Sequence, residues 1–371
     1  MPSTNQLDTI RRHSYHALTV LEVVEETADT RTYVVDVPES LADLYHYEPG
    51  QFCTVRAHIG GEDVMRCYSM SSAPAVDDRL AVTVKRVPGG LVSNWLHDHV
   101  APGDELELMP PAGVFCERPG DDGPIVAFCG GSGVTPVFSI VKQALHRGTR
   151  PVRLFYANRD DASVIFRDAI DELAAAHPDR LTVHHHLDAE SGYVSADDVT
   201  TFLTATGAAD PHVFICGPTP FMDLVEAGAA AAGVPTDRIA IERFLNSVVD
   251  LTGDPGDQAV DEAPDDVLPV DEAGIAGKQP TQLTITIKRK RHVLEHVPGD
   301  TVLDAARRAS LSPPYSCEQG NCATCMALVT AGSVTMRVNN ALTPDEVAEG
   351  WVLTCQSLPV GPEVAIEYDD L

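Results

Sequence analysis

Three stretches with different hydrophobic rhythms predict a multi-domain chain: an antiparallel β-barrel, then an α/β layer on a parallel sheet, then a small α+β domain. The first stretch has short alternating strands punctuated by Pro and Gly, and the second alternates apolar strands with helical segments. Between the second and third, from Asp250 to Glu272, nine acidic residues occur with no basic residue among them, which reads as an extended linker. The expected divisions are 15–118, 119–247, an acidic linker over 248–279, and 280–371.

In the first stretch the runs 32–37, 51–55, 80–87 and 105–109 alternate apolar and polar residues. Pro49-Gly50, Pro88-Gly89-Gly90, Pro102-Gly103 and Pro110-Pro111 break them into barrel strands. From Pro124 onward strands are expected at 125–128, 152–156, 181–187 and 213–216, with helices at 137–145 and 164–175. After the linker Leu283, Ile285 and Ile287 alternate, 288–291 reads as a hairpin tip, and 301–309 as a short helix that Pro313-Pro314 cannot continue.

Basic residues number 26 and acidic residues 55, a net charge of −29, which repels phosphate backbones and anionic membranes and argues against nucleic-acid binding. No run approaches the roughly 18 apolar residues of a membrane span. The first residues carry no apolar signal-peptide core, so a cytoplasmic protein is expected. Nine cysteines, an odd and clustered set, point to metal or redox use in a reducing compartment. His184-His185-His186 alternates across a strand and cannot converge on one ion.

Cys317, Cys322, Cys325 and the distant Cys355 follow C-x4-C-x2-C…C, the plant-type [2Fe-2S] spacing. Iron and sulfide require soft anionic thiolates, and Gly320 gives the loop freedom to turn its amides toward sulfur. A zinc site is the alternative, but zinc favours two C-x2–4-C pairs over three cysteines in one loop. Cys53, Cys67, Cys116, Cys129 and Cys216 read mostly as small buried residues.

Two further constellations accompany the cysteines. Arg66-Cys67-Tyr68-Ser69 ends one barrel run, and Gly89-Gly90-Leu91-Val92-Ser93 opens a helical segment. Together they offer a guanidinium, an aromatic ring, a hydroxyl and helix-end amides, the groups a flavin needs. Gly130-Gly131-Ser132-Gly133-Val134-Thr135-Pro136 follows a strand and precedes a helix, so its backbone can approach a dinucleotide pyrophosphate; Cys216-Gly217-Pro218 ends another strand of the same layer.

Taken in order, Pro49-Gly50-Gln51-Phe52, Arg66 to Ser69, Gly90 to Ser93, the Gly131 to Pro136 turn, Cys216-Gly217-Pro218 and the cysteine loop resemble the ferredoxin–NADP reductase superfamily with a C-terminal plant-type ferredoxin domain. Within it the chain looks most like reductase components of multicomponent oxygenases, nearest those of 3-ketosteroid 9α-hydroxylases, with phenylacetyl-CoA epoxidase reductases next. The resemblance implies a flavin barrel, a nicotinamide α/β domain and a β-grasp ferredoxin domain. It implies that Arg66, Cys67, Tyr68, Ser69, Val84, Lys85, Gly90, Leu91, Val92 and Ser93 hold FAD, with FMN left open. Gly130, Gly131, Ser132, Gly133, Thr135, Pro136, Asn158, Arg159, Cys216, Gly217 and Pro218 would hold the nicotinamide cofactor. Glu242 and Phe244 would approach the flavin, and Ser69, Cys216 and Glu242 would serve catalysis.

The four cysteines would carry the cluster. Ala323 stands where close relatives have glycine, which costs about 1 kcal/mol if φ there is positive. NADH is the expected donor because Asp160 and Asp161 would repel a 2′-phosphate, while Arg159 leaves NADPH open. Hydride brings two electrons and the cluster accepts one, so FAD must stand between them. The linker would let the ferredoxin domain swing toward an acceptor. The expected partner of this monomer is a terminal oxygenase, of the Rieske type by resemblance. A di-iron epoxidase or a lipid desaturase is the alternative acceptor, and a redox sensor the remaining reading.

Overall fold

The computed structural model describes residues 9–118, 120, 122–205, 210–243 and 282–368; the acidic linker and Phe244 lie outside them. The chain forms two compact units, one of residues 15–244 and one of residues 245–371 together with 1–14.

The first unit begins with β1 (His16–Thr27), β2 (Thr30–Asp36), β3 (Phe52–Ile59), β4 (Glu62–Ser69), β5 (Leu80–Lys85) and β6 (Glu105–Leu108). Their order is β4-β3-β6-β1-β2-β5, every pair antiparallel, and a bridge between Met70 and Val82 joins the two outer strands. Leu18, Val20, Tyr33, Val35, Val55, Val82 and Leu108 point inward and are buried. Helix α1 (Leu91–His99) adds Val92 and Leu96 to that core. Each such side chain contributes roughly 1.5–3 kcal/mol by burial. β1 escapes a reading by alternation because its register shifts between Val20 and Glu22 and Leu21 faces solvent.

A parallel sheet follows: β7 (Ile125–Gly130), β8 (Val152–Asn158), β9 (Leu181–Leu187), β10 (His212–Cys216) and β11 (Ile239–Glu242), in the order β11-β10-β7-β8-β9. Its helices are α2 (Val134–Arg147), α3 (Arg167–Ala176), α4 (Asp188–Ser191), α5 (Ala196–Thr204) and α6 (Thr219–Ala231). Two apolar clusters cover the two sheet faces, one around Val137, Ile140 and Phe214, the other around Phe128, Phe202 and Val225. Helix α3 starts three residues later than expected. Asp160 and Ser163 first close a capping box on a short 3-10 turn, and Phe166 takes a left-handed φ of 59° before the helix. Helix α6 turns Met222, Val225 and Ala229 to the sheet, and Gly228 packs directly on Val199.

Helix α2 also fastens the sheet to the barrel. Ser139 donates to the Ser72 carbonyl at 2.5 Å, Gln143 accepts from the Ala75 amide at 3.2 Å, and Lys142 pairs with Asp77 at 2.5 Å.

The second unit is a mixed five-stranded sheet of β12 (Gln282–Ile287), β13 (Lys290–Glu295), β14 (Met326–Met336), β15 (Trp351–Leu353) and β16 (Ser357–Glu367), ordered β13-β12-β16-β14-β15. β12 and β16 are parallel and the other pairs antiparallel, the β-grasp pattern. Capping boxes start α7 (Val302–Arg308) at Thr301 with Asp304, and α8 (Pro344–Ala348) at Thr343 with Glu346. The hairpin tip is shorter than expected: Lys288 and Arg289 alone form the turn, at φ 50° and 62°, and Lys290 and Arg291 belong to β13. Two-residue turns of this hand favour Asn-Gly, and a side chain in this conformation costs roughly 1–2 kcal/mol.

Residues 9–14 belong to this unit. His13 is buried with Nε2 3.2 Å from Glu346 Oε1, Arg12 stands 3.4 Å from the same oxygen, and Glu346 Oε2 accepts from the Thr343 amide at 2.8 Å. Burial raises the Glu346 pKa, but His13 and the Thr343 amide outweigh it and hold the carboxyl at about 2. A depressed carboxylate stabilises the fold above its unfolded value of about 4.3 and loses that contribution as pH falls through the folded one. Glu346→Gln should therefore unfold at lower urea than wild type at neutral pH. The difference should close as pH is lowered toward about 2, and a gap that persists there would count against the assignment.

Candidate functional site

The parallel sheet runs β7, β8, β9 outward in one direction and then returns to β10 on the other side of β7. The carboxyl ends of β7 and β10 are thus the switch point at which open α/β sheets bind ligands. Both sequence-predicted glycine turns meet there. A Cβ on Gly133 would stand 2.1 Å from the Cys216 carbonyl oxygen, one on Gly217 3.0 Å from the Gly130 amide nitrogen, and one on Gly130 3.0 Å from the Pro218 ring. Gly131 takes φ 52°. Thr135 Oγ1 donates to the Ser132 carbonyl at 3.0 Å, so its hydroxyl shapes the turn, and Pro136 is buried. Helix α2 begins at Val134 with no side-chain cap, directly after a 3-10 turn over Gly131–Gly133 whose Gly131 carbonyl accepts from the Val134 amide.

A cavity of about 450 Å³ opens at this point, lined by Gly130, Gly131, Asn158, Arg159 and Pro218 among others. Asn158 is buried, and neither its Oδ1 nor its Nδ2 has a hydrogen-bond partner in the protein. These features fit a dinucleotide. The cavity also takes in Lys85, expected at the flavin, and Asp188, Tyr193 and Phe221, which the sequence reading missed. Phe221 stands three residues after Pro218, and Asp188 follows β9 directly, signals that were available. Tyr193, 88% exposed, carries none. Of the acids expected to face the nucleotide, Asp160 caps Ser163 and meets Nε of the cavity-lining Arg159 at 3.0 Å, and Asp161 pairs with Arg167.

On the barrel side, strand alternation puts Arg66 and Tyr68 on one face of β4 and Cys67 and Ser69 on the other. Ser69 Oγ is buried and has no partner in the protein, and α1 starts at Gly90 with no side-chain cap. An orphaned hydroxyl and free helix-end amides fit a flavin and its phosphate. Ser93 Oγ accepts from the Val87 amide at 3.1 Å, and a Cβ on Gly90 would press on that oxygen at 2.7 Å. Leu91 is exposed, while the side chains of Val84 and Val92 point into the barrel core, and the Val84 carbonyl is 2.9 Å from His97 Nε2. The side chains of Val84 and Val92 are therefore turned away from a flavin, and the Val84 carbonyl is already engaged.

Cys216 and Glu242 sit side by side in the β10–β11 register, both buried. Burial lifts the Cys216 thiol well above its ordinary range, with Glu242 adding to it, and pushes the Glu242 carboxyl up to about 8.

In the second unit the cysteines fall into two pairs. The Cys317 amide lies 3.5 Å from Cys322 Sγ, and the neighbouring Cys322 thiol raises that of Cys317; Cys355 raises that of Cys325 in the same way. The amides of Gln319 and Asn321 both point at Cys317 Sγ, at 3.4 Å. Glu318, Gly320 and Ala323 take φ of 53°, 78° and 56°, so the strain expected at Ala323 is present. Cys325 also acts on the Cys317 thiol, so the two pairs neighbour each other, and two neighbouring cysteine pairs suit the two irons of a [2Fe-2S] cluster.

Family models agree with this geometry: an oxidoreductase FAD-binding domain matches residues 17–116, an oxidoreductase NAD-binding domain 128–227, and a 2Fe-2S iron-sulfur cluster binding domain 285–360. They define the class, an NAD- and FAD-dependent oxidoreductase with a fused ferredoxin domain. The chain belongs to the ferredoxin–NADP reductase superfamily, among the reductase components of multicomponent oxygenases. It is 41% identical over 357 residues to the ferredoxin reductase component of 3-ketosteroid-9-alpha-monooxygenase from Mycolicibacterium smegmatis, covering 95% of this chain and 97% of that one. A component of the 1,2-phenylacetyl-CoA epoxidase of Escherichia coli is 32% identical over 96% and 98% of the two chains. The fold matches phthalate dioxygenase reductase over 99% of this chain and 100% of that one, with TM-score 0.56 and 21% identity.

The raised Glu242 makes a stability prediction. A carboxyl whose folded value lies above its unfolded one stabilises the fold fully below about 4.3 and loses that contribution as pH climbs through the folded value, here about 8. In Glu242→Gln the fall in Tm of the holoprotein between about pH 5 and 8 should flatten; an unchanged slope would assign the proton elsewhere.

Proposed function

We propose that this chain is the reductase component of a steroid-ring hydroxylase of the Rieske type, taking electrons from NADH and passing them through FAD and a [2Fe-2S] cluster to a separate terminal oxygenase. The observation that carries the electron path is the cysteine loop joined to a flavin barrel and a dinucleotide cradle in one chain. Identities of 38–41% to 3-ketosteroid-9-alpha-monooxygenase components, against 32% for phenylacetyl-CoA epoxidase and glycine betaine monooxygenase reductases, favour the steroid partner. Reconstitution decides it: the purified chain with a ketosteroid oxygenase should support NADH-dependent hydroxylation, and support of a di-iron epoxidase alone would assign the other partner.

When bound, FAD and the cluster supply the conversion of an electron pair into single electrons. The chain's own residues do the rest. The Gly130–Gly133 and Cys216–Pro218 backbones hold the dinucleotide at the switch point, with Asn158 as a buried polar contact. Arg66, Tyr68, Ser69 and the amides at the start of α1 orient the flavin, and Cys216 and Glu242 close the hydride path with neutral groups that keep bulk water out. Cys317, Cys322, Cys325 and Cys355 would hold the cluster, and Cys317 and Cys325, whose thiols a neighbouring thiol and burial keep protonated, would give up their protons to do so. No helix among the described residues is long and apolar enough to cross a membrane, and nine unpaired cysteines suit the cytoplasm.

Cys355→Ser should lose the cluster's visible absorption and transfer to the oxygenase while keeping flavin and NADH–ferricyanide activity; loss of both activities together would contradict separate centres. Asp188 is the carboxylate that lines the cavity, so it is the group placed to oppose a 2′-phosphate. Wild type should prefer NADH in kcat/KM, and Asp188→Ala should narrow the NADH/NADPH ratio by about tenfold, the effect of one charge contact of about 1.4 kcal/mol. An unchanged ratio removes Asp188 from the selection.

A further inference from the structure

Residues 280–371 contain seven basic side chains, and four of them are consecutive: Lys288, Arg289, Lys290 and Arg291. All four are exposed, and none has an acidic partner among the described residues. The other three are engaged, Arg307 with Glu318 at 3.0 Å, Arg308 with Asp300, and Arg337 with the Gly299 carbonyl at 3.1 Å. The tip is thus the one concentrated positive feature of this domain, on a chain whose net charge is −29.

The tip also departs from what its own turn prefers. Both central residues have positive φ, where Asn-Gly would relax the backbone, and the sequence instead keeps two long cations there. β13 is moreover an edge strand, and Val293 on it is 54% exposed.

Register then fixes where the tip stands. Thr286, Glu367, Leu328 and Trp351 form one row across β12, β16, β14 and β15. From that row β12 runs on to Lys288, β14 read backward leads to Cys325, and β15 leads on to Cys355, all toward the same end of the sheet. A hydrogen-bonded path joins them: the Tyr368 amide donates to Thr286 at 2.9 Å, Tyr368 Oη donates to Thr354 Oγ1 at 2.9 Å, and the Thr354 amide donates to the Cys325 carbonyl at 3.2 Å.

We propose that the Lys288–Arg291 tip is the docking surface for the electron acceptor, and that it takes a protein presenting an acidic patch, seated at the end of the sheet that holds the cluster cysteines. The inference rests on the electron-transfer reading above and adds the chemistry of the partner. Exposed charges of this kind steer association and set its rate more than its final affinity, and the attraction is screened by salt.

The probe is cytochrome b5, a small acidic haem protein, reduced by the holoprotein with NADH at varied ionic strength. Net charge alone predicts repulsion and a rate that rises with salt; docking at the tip predicts a rate that falls with salt. The variant K288E/R289E/K290E/R291E should cut the low-salt rate at least tenfold and invert the salt slope, while NADH bleaches flavin and cluster as fast as in wild type. K288N/R289G keeps the fold in view: with the turn relaxed its Tm should rise, yet cytochrome reduction should fall at least threefold.

A wild-type rate that rises with salt and is equal in all variants overturns the proposal, and that is also the result if the chain's own acidic residues occupy the tip. Slower cluster bleaching in the reversal variant overturns it too, by assigning the tip to transfer within the chain. A wild type that NADH cannot bleach at all defeats the electron-transfer reading itself, a different failure with a different signal.

Discussion

The close approach of two backbones at the switch point is the constraint on which the rest of the larger unit depends. Gly133 lies against the Cys216 carbonyl so closely that a Cβ would fall 2.1 Å from its oxygen. That contact presses the start of α2 onto the end of β10 and fixes the direction of the helix. The same helix carries Ser139, Lys142 and Gln143 to the barrel. One glycine contact therefore sets the dinucleotide cradle and the position of the flavin barrel relative to it, and hydride transfer tolerates little error in that position.

Burial without charge is the second theme of this unit. Cys216 and Glu242 share a row of the sheet and are both kept neutral by desolvation. Ionised groups there would demand partners or water; neutral ones let the site stay dry. Ser69 contributes a buried hydroxyl with no protein partner, a cost of about 1–3 kcal/mol that a ligand hydrogen bond would offset. Tyr33 Oη is another unpartnered hydroxyl inside the barrel, and Ser69 differs from it in standing at the end of β4 beside Arg66 and Tyr68.

The legibility of the chain followed the physics of each element. Strands buried on both faces, such as β7 and β10, stood out as apolar runs, and the cysteine spacing and glycine turns marked their sites directly. β1 and β14 were lost because register shifts interrupt their alternation. Among site residues, Tyr193 reaches the cavity from the β9 side only after the chain has crossed the sheet, a placement no local pattern encodes, whereas Asp188 is marked by its place directly after β9. Asp160, expected to face the nucleotide, also caps the 3-10 turn after β8 through Ser163, a second use of the carboxylate that its sequence position does not announce.

The ferredoxin domain distributes strain differently. Of the seven non-glycine residues with positive φ among those described, five lie in it: Lys288, Arg289, Ser310, Glu318 and Ala323. Glu318 and Ala323 flank Gly320 in the loop whose amides point at Cys317 Sγ, so their strain is the cost of aiming donors at sulfur. Strained backbone persists where surrounding structure over-determines it, and here the loop of Cys317, Cys322 and Cys325 adds no residue to the apolar cluster of its domain. Iron–thiolate binding is free energy of folding in such sites, and a cluster held by these cysteines would supply the term that keeps this loop in place. Arg289 and Lys288 lie outside the loop and gain nothing from iron, which is why their conformation calls for a different cause than that of Ala323.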